Sequence, residues 1–559
     1  MNTSTLISST IFCLGVQCFT QTLAAKDKRP NILIILADDL GYSDLGCYGG
    51  EINTPNIDML AKEGLRFNSF YNTSRSCPTR ASLLTGLYQH QAGIGRMTFN
   101  DNLPGYKGTL SHNAVTIAEV LKDNGYHTGM IGKWHIAETP LRKDQREWLA
   151  HHVYHEEFAD KVNYPVNRGF ENFYGTIYGV VDYFDPFSLV NGDEPVKEVP
   201  SDYYITNALS DSAVVYLDRY SKDEKPFFMY LSYTAPHWPL HALPEDIAKY
   251  EDTYKNGWQY IREKRYEKMK SLGIFDGCDN YLTERQFKDK WEDNKDKEWD
   301  ARAMAVHAAM VDRMDKGIGN VIQALKRNNQ LDNTLIIFLS DNGCSNEDCQ
   351  NYSPGENDRP DMTRDGRQIV YPHNKEVLPG SETSYASLGA RWANAANTPF
   401  RFWKAKSYEG GICTPMIAYW PKGIKKQKGK ISSQKGHVID IMATCIDLAN
   451  AKYPQEYNGN QIIPLEGKSL LPIFKKGKRE GHEYIAFEHF NEKALISNDG
   501  WKIVKVSGKN SKWELYNLNI DRTEMHNVAT DYPDILENLV QKYDQWSKRC
   551  MVEPFPGQK

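Results

Sequence analysis

Three short runs of almost wholly apolar residues each break off into polar side chains. Asn31-Ile32-Leu33-Ile34-Ile35-Leu36-Ala37 stops at Asp38-Asp39, and Phe227-Phe228-Met229-Tyr230-Leu231 leads through Ser232 to Ala235-Pro236-His237. Leu335-Ile336-Ile337-Phe338-Leu339 ends in Ser340-Asp341-Asn342-Gly343. A strand that is apolar on both faces must be covered on both, as parallel strands are when helices sandwich them. Sheets of this kind bind ligands just beyond the carboxyl ends of their strands. The expected fold class is therefore α/β, with a large mixed, mostly parallel sheet flanked by helices. Amphipathic segments 56–63, 114–124 and 301–327 supply covering helices. In the last, Met310, Met314, Ile318, Val321, Ile322 and Leu325 recur at helical spacing and read as core.

The character of the chain changes near residue 470. Ala494-Leu495-Ile496, Trp501 to Lys505 and Trp513 to Leu518 are short strand-like runs separated by turn residues, followed by a helical pattern over 533–548. Residues 26–470 are expected to form the main domain and 471–559 a smaller antiparallel sheet plus helix. Segment 251–299 mixes charges of both signs and reads as a solvated surface insertion. Residues 1–25 carry no charged side chain and end in Leu23-Ala24-Ala25, which predicts a secretory signal peptide and an exported protein. The formal net charge of −5 excludes a basic nucleic-acid binder. No stretch approaches eighteen consecutive apolar residues, so no membrane span is expected. Ten cysteines in 559 residues, without metal-site spacing, predict a fold that disulfides do not carry.

Asp38, Asp39, Asp341 and Asn342 stand at two strand ends that a parallel sheet brings together. An all-oxygen set of this kind suits a hard cation, Ca²⁺ or Mg²⁺. Either pair alone would pass as an ordinary helix cap or turn. Downstream, Ser76-Cys77-Pro78-Thr79-Arg80-Ala81-Ser82-Leu83-Leu84-Thr85-Gly86 has Pro in the first turn of a predicted helix. The N–H groups and dipole at the start of that helix make Ser76 a place where an anion is welcome.

This segment resembles the formylglycine-dependent sulfatases of the alkaline phosphatase superfamily, whose motif is Cys or Ser, any residue, Pro, any residue, Arg, followed by Leu-Thr-Gly. Pro at 78 fixes the register, so Ser76 is the residue to be oxidised and Cys77 the variable position. The resemblance is to the serine type, and extends in order through Gly132-Lys133-Trp134-His135, Ala235-Pro236-His237 and Lys404-Ala405-Lys406-Ser407-Tyr408-Glu409-Gly410-Gly411. Lys406 is a near competitor of Lys404. Cys413 departs from the pattern, since many relatives carry Arg there.

The resemblance implies catalysis by Ser76, Arg80, Lys133, His135, His237 and Lys404, with Ca²⁺ ahead of Mg²⁺ on Asp38, Asp39, Ser76, Asp341 and Asn342. Formylglycine from Ser76 would hydrate to a geminal diol that attacks sulfur. Arg80 and Lys133 would hold the diol, and His237 and Lys404 would bind sulfate and assist the leaving alcohol. His135 would then deprotonate the second hydroxyl so that sulfate is expelled. The implied partners are a sulfated carbohydrate or aryl sulfate and a serine-type formylglycine maturation enzyme, in a secreted or periplasmic bacterial setting. Asp185 and His489 are candidate sugar contacts on a rim that includes Tyr178, Asp182, Tyr183 and Trp238. A phosphoester or phosphonate hydrolase of the same superfamily and a non-catalytic glycan-binding relative remain as alternatives.

Overall fold

The computed structural model describes residues 29–138, 158–276, 282–284, 286–349, 362–371, 375–508 and 510–557. The signal peptide expected at 1–25 lies outside these residues. Among them, eleven strands form one sheet: β1 (Asn31–Ala37), β2 (Leu65–Tyr71), β3 (His127–Gly132), β4 (Asn172–Thr176), β5 (Leu189–Asn191), β6 (Glu194–Pro195), β7 (Phe227–Ser232), β8 (Thr334–Ser340), β9 (Cys413–Tyr419), β10 (Lys430–Ser432) and β11 (Gly436–His437). Their order is β10-β2-β9-β8-β1-β7-β3-β4-β5-β6, with β11 paired to β2.

The three apolar runs are the central neighbours β8, β1 and β7, and they are parallel. Every residue of all three is buried, as two-sided covering requires. Each Ile or Leu so enclosed stabilises the fold by about 1.5–3 kcal/mol. The sheet is mixed because β9 runs antiparallel to both β8 and β2. The covering helices span Pro55–Glu63, Ile117–Asp123 and Lys297–Arg327, close to their expected bounds. The second starts at a capping box in which Thr116 and Glu119 satisfy each other's backbone N–H groups.

Segment 251–299 corrects the sequence reading. It contains the helix Gly257–Ser271, whose Trp258, Ile261, Arg262, Arg265 and Met269 are buried. Arg265 is enclosed and ion-paired to Asp44 at 2.7 Å and Glu51 at 2.8 Å. Alternating charge concealed an inward face because the counter-charges lie over two hundred residues away in sequence.

After the ribbon β12 (Glu456–Tyr457) and β13 (Asn460–Gln461), a second antiparallel sheet follows the order β14 (Tyr484–His489), β15 (Glu492–Ser497), β16 (Trp501–Lys505), β17 (Glu514–Asn517). The helix Pro533–Arg549 closes it, with Leu539, Tyr543 and Trp546 packed into one cluster with Leu495, Ile503 and Leu515. A buried ionic network ties this sheet to the large one. Lys502 Nζ lies 2.9 Å from Glu409 and 2.7 Å from Glu524, and Arg522 bonds Glu409. Arg522 also donates to the Asn68 carbonyl at 3.0 Å and sits 3.4 Å from Cys413 Sγ. A guanidinium thus reaches the neighbourhood of position 413 from the carboxyl-terminal region, where the family pattern has its own Arg. Cys47, Cys77, Cys344, Cys413, Cys445 and Cys550 are free thiols, all but Cys47 buried. Among the described residues no helix is long and apolar enough to cross a membrane.

Candidate active site

Strand register assembles the cluster. Ala37 of β1 is level with Ser340 of β8, and Ser232 of β7 is level with both Leu36 of β1 and Gly132 of β3. The residues that follow these strand ends, Asp38-Asp39, Asp341-Asn342, His237 and Lys133 to His135, therefore meet above one edge of the sheet. Gly132 is required there: at φ 102° a Cβ would meet the Ser232 carbonyl oxygen at 1.8 Å. Asp39, Ser74, His135 and Ala405 have positive φ although none is glycine. Strained backbone of this sort persists where the surroundings fix it, and it concentrates at functional sites.

Ser76 opens the helix Ser76–Thr85, all ten residues of which are buried. Its Oγ accepts from Arg80 Nε at 2.9 Å and lies 3.4 Å from His135 Nδ1. Arg80 is fully enclosed; it bonds Asp341 Oδ2 at 2.9 Å, the Lys133 carbonyl at 3.0 Å, and Ser232. Lys133 Nζ reaches Asp38 at 2.5 Å. Lys404 Nζ reaches Asp39 at 2.9 Å and His237 Nε2 at 3.3 Å. Lys406 points elsewhere, to Glu492 at 2.7 Å.

The donor set fits a cation. Asp38 Oδ1 and Asn342 Oδ1 are buried and accept no hydrogen bond from the protein. Burial raises the Asp38 carboxyl well above its ordinary value and the Asp341 charge adds to this, against Lys133 and Arg80. Burial also opposes ionisation of Asp341, but Arg80 and Lys133 hold its carboxyl low. A divalent ion held here would supply positive charge that favours the ionised forms of Asp38 and Asp341 together. His237 lies closer to this group than the sequence suggested: among the described residues, Asp38, Asp39 and His237 offer ligand atoms within 4.8 Å of one another.

Both imidazoles are neutral. Burial, Lys133 and Arg80 push His135 well below its usual range, and burial and Lys404 bring His237 to about 3 against the pull of Asp39. Burial lowers the Lys133 ammonium. Lys404 shifts upward, because Asp39 and Glu347 outweigh its burial.

Several residues fall differently from their expected places. Tyr183 is buried, and its hydroxyl donates to the Thr234 and His237 carbonyls, bracing the loop after β7 where a rim contact was expected. Asp182 caps the Phe184 and Asp185 N–H groups. Asp185 is half-buried, with Tyr203 among its electrostatic neighbours. His489 has no exposed surface, and neither ring nitrogen has a hydrogen-bond partner. It lies beneath the rim, its ring centroid 4.4 Å from that of the exposed Phe490. Sequence reasoning missed Glu347, which joins Arg75, Trp238 and Lys404; one acidic residue in a loop gives no signal of such partners.

Residues 30–451 match the Sulfatase family, and residues 400–549 match the N-sulphoglucosamine sulphohydrolase C-terminal family. The chain belongs to the sulfatase family. This sulfatase is 33% identical to an uncharacterized sulfatase of Schizosaccharomyces pombe, over 92% of its own length and 93% of the relative's. It is 32% identical to an arylsulfatase of Klebsiella aerogenes, over 80% and 93%. Its fold matches the crystal structure of Ps i-CgsB in complex with k-i-k-neocarrahexaose at TM-score 0.64 and 28% identity, over 93% of each chain. The sulfatase is accordingly a sulfuric ester hydrolase with an alkaline phosphatase-like fold.

Proposed function

We propose that this sulfatase hydrolyses carbohydrate sulfate esters after export, using formylglycine formed from Ser76 and one bound calcium ion. The observation that carries the reading is the position of Ser76. Its oxygen is fixed by Arg80 beside a neutral His135 and faces a buried cluster of carboxylate oxygens. Two-electron oxidation of Ser76 by a maturation enzyme would give an aldehyde, and addition of water then gives two hydroxyls where serine has one. Deprotonating the second re-forms the aldehyde and expels sulfate. Asp38, Asp39, Asp341, Asn342 and residue 76 would hold the calcium ion, which when bound would supply positive charge to neutralise sulfate and acidify a hydroxyl.

The chain's own groups do the rest. Arg80 and Lys133 hold the oxygen of residue 76. His135 is neutral, as a group that takes a proton must be. His237 donates Nδ1–H to the Trp238 carbonyl at 2.5 Å, since a carbonyl can only accept, and this turns Nε2 toward Lys404. Lys404 meets the sulfate and stabilises charge growing on the leaving alcohol. Residues 471–559 brace the Lys404 loop through Glu409.

Elemental analysis is expected to find close to one calcium per chain, with activity lost on exhaustive chelation and restored by Ca²⁺. Asp341→Ala should lower activity at least about a thousandfold; activity retained by that variant under chelation would contradict the metal assignment.

The oligosaccharide in the similar structure, and the aromatic and acidic residues near the site, support a sugar leaving group. Assays of sulfate release from sulfated mono- and oligosaccharides test it, and turnover of aryl sulfates alone counts against it. His489 is fully buried, and its two ring nitrogens without hydrogen-bond partners would offer a sugar hydroxyl a partner only after local rearrangement. Asp185→Ala and His489→Ala should each weaken sugar sulfate turnover about tenfold more than aryl sulfate turnover, the scale of one lost hydrogen bond to a charged or buried group.

A further inference from the structure

Glu347 is a carboxylate at the site that stands outside the proposed metal ligands. It follows β8 on the same loop as Asp341 and Asn342. Its Oε2 accepts from Trp238 Nε1 at 2.6 Å and from Ser345 Oγ at 3.2 Å, and lies 3.5 Å from Lys404 Nζ. Its Oε1 takes Arg75 at 3.1 Å, the residue just before Ser76. The Glu347 and Arg75 side chains each keep 22% exposure, so the pair faces the mouth of the site. Despite burial, Lys404 and Arg75 hold the Glu347 carboxyl well below its ordinary range, and it stays charged.

We propose that Glu347 is a specificity-determining residue: set against Lys404 and Arg75, its fixed charge admits the single negative charge of a sulfate ester and penalises the second charge of a phosphate monoester. The inference rests on Lys404 as the sulfate contact. Lys404 stands between Glu347 at 3.5 Å and Asp39 at 2.9 Å, and Arg75 is paired with Glu347, so these carboxylates largely offset the two cations at this corner before a substrate enters. A phosphate monoester loses its second proton near pH roughly 6 and enters neutral solution as a dianion. Coulomb energy scales with ligand charge, so a carboxylate behind one ammonium repels the dianion twice as strongly as the monoanion. In affinity the factor for the dianion is the square of that for the monoanion.

Competitive inhibition of aryl sulfate hydrolysis tests this without requiring phosphatase turnover. The probes are phenyl phosphate, which gains its second charge between pH 5 and 8, and phenyl methylphosphonate, a monoanion throughout. The ratio of their inhibition constants, phosphate over phosphonate, is compared between the wild-type enzyme and Glu347→Gln from pH 5 to 8, because the cations of the site act on the dianion in both proteins. Effects of titration in the protein on a monoanion cancel in that ratio. At pH 8 Glu347→Gln should lower the phenyl phosphate constant about tenfold more than the phosphonate constant, and the difference should shrink toward pH 5, where phenyl phosphate is mostly a monoanion. A purely structural Glu347 would move both inhibitors by one factor, and that result overturns the proposal. So does a phosphonate that fails to compete; Glu347→Ala is measured beside Glu347→Gln and should give the same shift at pH 8, so one folded variant decides. Wild-type protein that cleaves no aryl sulfate would instead defeat the functional reading on which the inference rests.

Discussion

Ser76→Ala is expected to abolish sulfate release, lowering kcat by about 10⁴-fold or more, the scale on which losing a nucleophile acts. The change deletes one oxygen at the first turn of a fully buried helix and leaves the apolar packing of Leu83 and Leu84 alone. Arg80 loses its contact with Ser76 Oγ but keeps Asp341, the Lys133 carbonyl and Ser232. Arg80 Nε is left buried without its Ser76 partner, so stability should fall by about 1–3 kcal/mol. Complete loss of turnover in a variant still folded at the assay temperature separates chemistry from folding. Peptide mass spectrometry of the active wild-type enzyme should find the Ser76 peptide lighter by one H₂. A fully active enzyme whose Ser76 is wholly unmodified would refute the mechanism.

Lys502→Met should destabilise the protein by about 3–5 kcal/mol, the cost of removing one partner from a buried ionic network. Lys502 is the counter-ion that Glu409 and Glu524 share, and all three side chains are fully enclosed. Arg522 alone cannot compensate both carboxylates. The loss would be read as a lowered denaturant midpoint. Lys505→Met, at the end of the same strand with its side chain partly exposed, should stay within about 0.5 kcal/mol. Turnover should fall too, because Glu409 lies five residues beyond Lys404. Equal midpoints for the two variants would show that the network carries no stability.

What could be read from sequence follows from how local each signal is. β1, β7 and β8 announce themselves because burial on both faces leaves an apolar run with polar ends. The Ser76 to Gly86 segment is legible because a helix start, a proline register and a downstream Arg80 fall within eleven residues. The family register favours Lys404 over its near competitor Lys406, and the fold sends the first to Asp39 and the second to Glu492. Arg265, Glu347 and Lys502 gave no signal, because each acquires its meaning from a partner brought near only by tertiary structure. β14 was passed over although Ile485-Ala486-Phe487 is apolar, since the short run lies between charged residues. Tyr183 was read as a sugar-facing aromatic; the sequence cannot show that its hydroxyl is consumed by two backbone carbonyls.

The pairing of β1 with β8 also bears on how the protein is made. Asp39 hydrogen-bonds Asp341 across 302 residues of chain, and Glu409 waits another 93 for Lys502. At about 5–20 residues per second, synthesis separates the two aspartates by roughly 15–60 s. During that interval Ser76, Arg80, Lys133 and His237 have already been made while the strand that completes their pocket has not. The finished fold leaves Ser76 2% exposed. A maturation enzyme that must take hold of the Ser76 side chain would have its opening while the chain is still growing, before β8 and β9 arrive, whereas a sulfate group needs far less room.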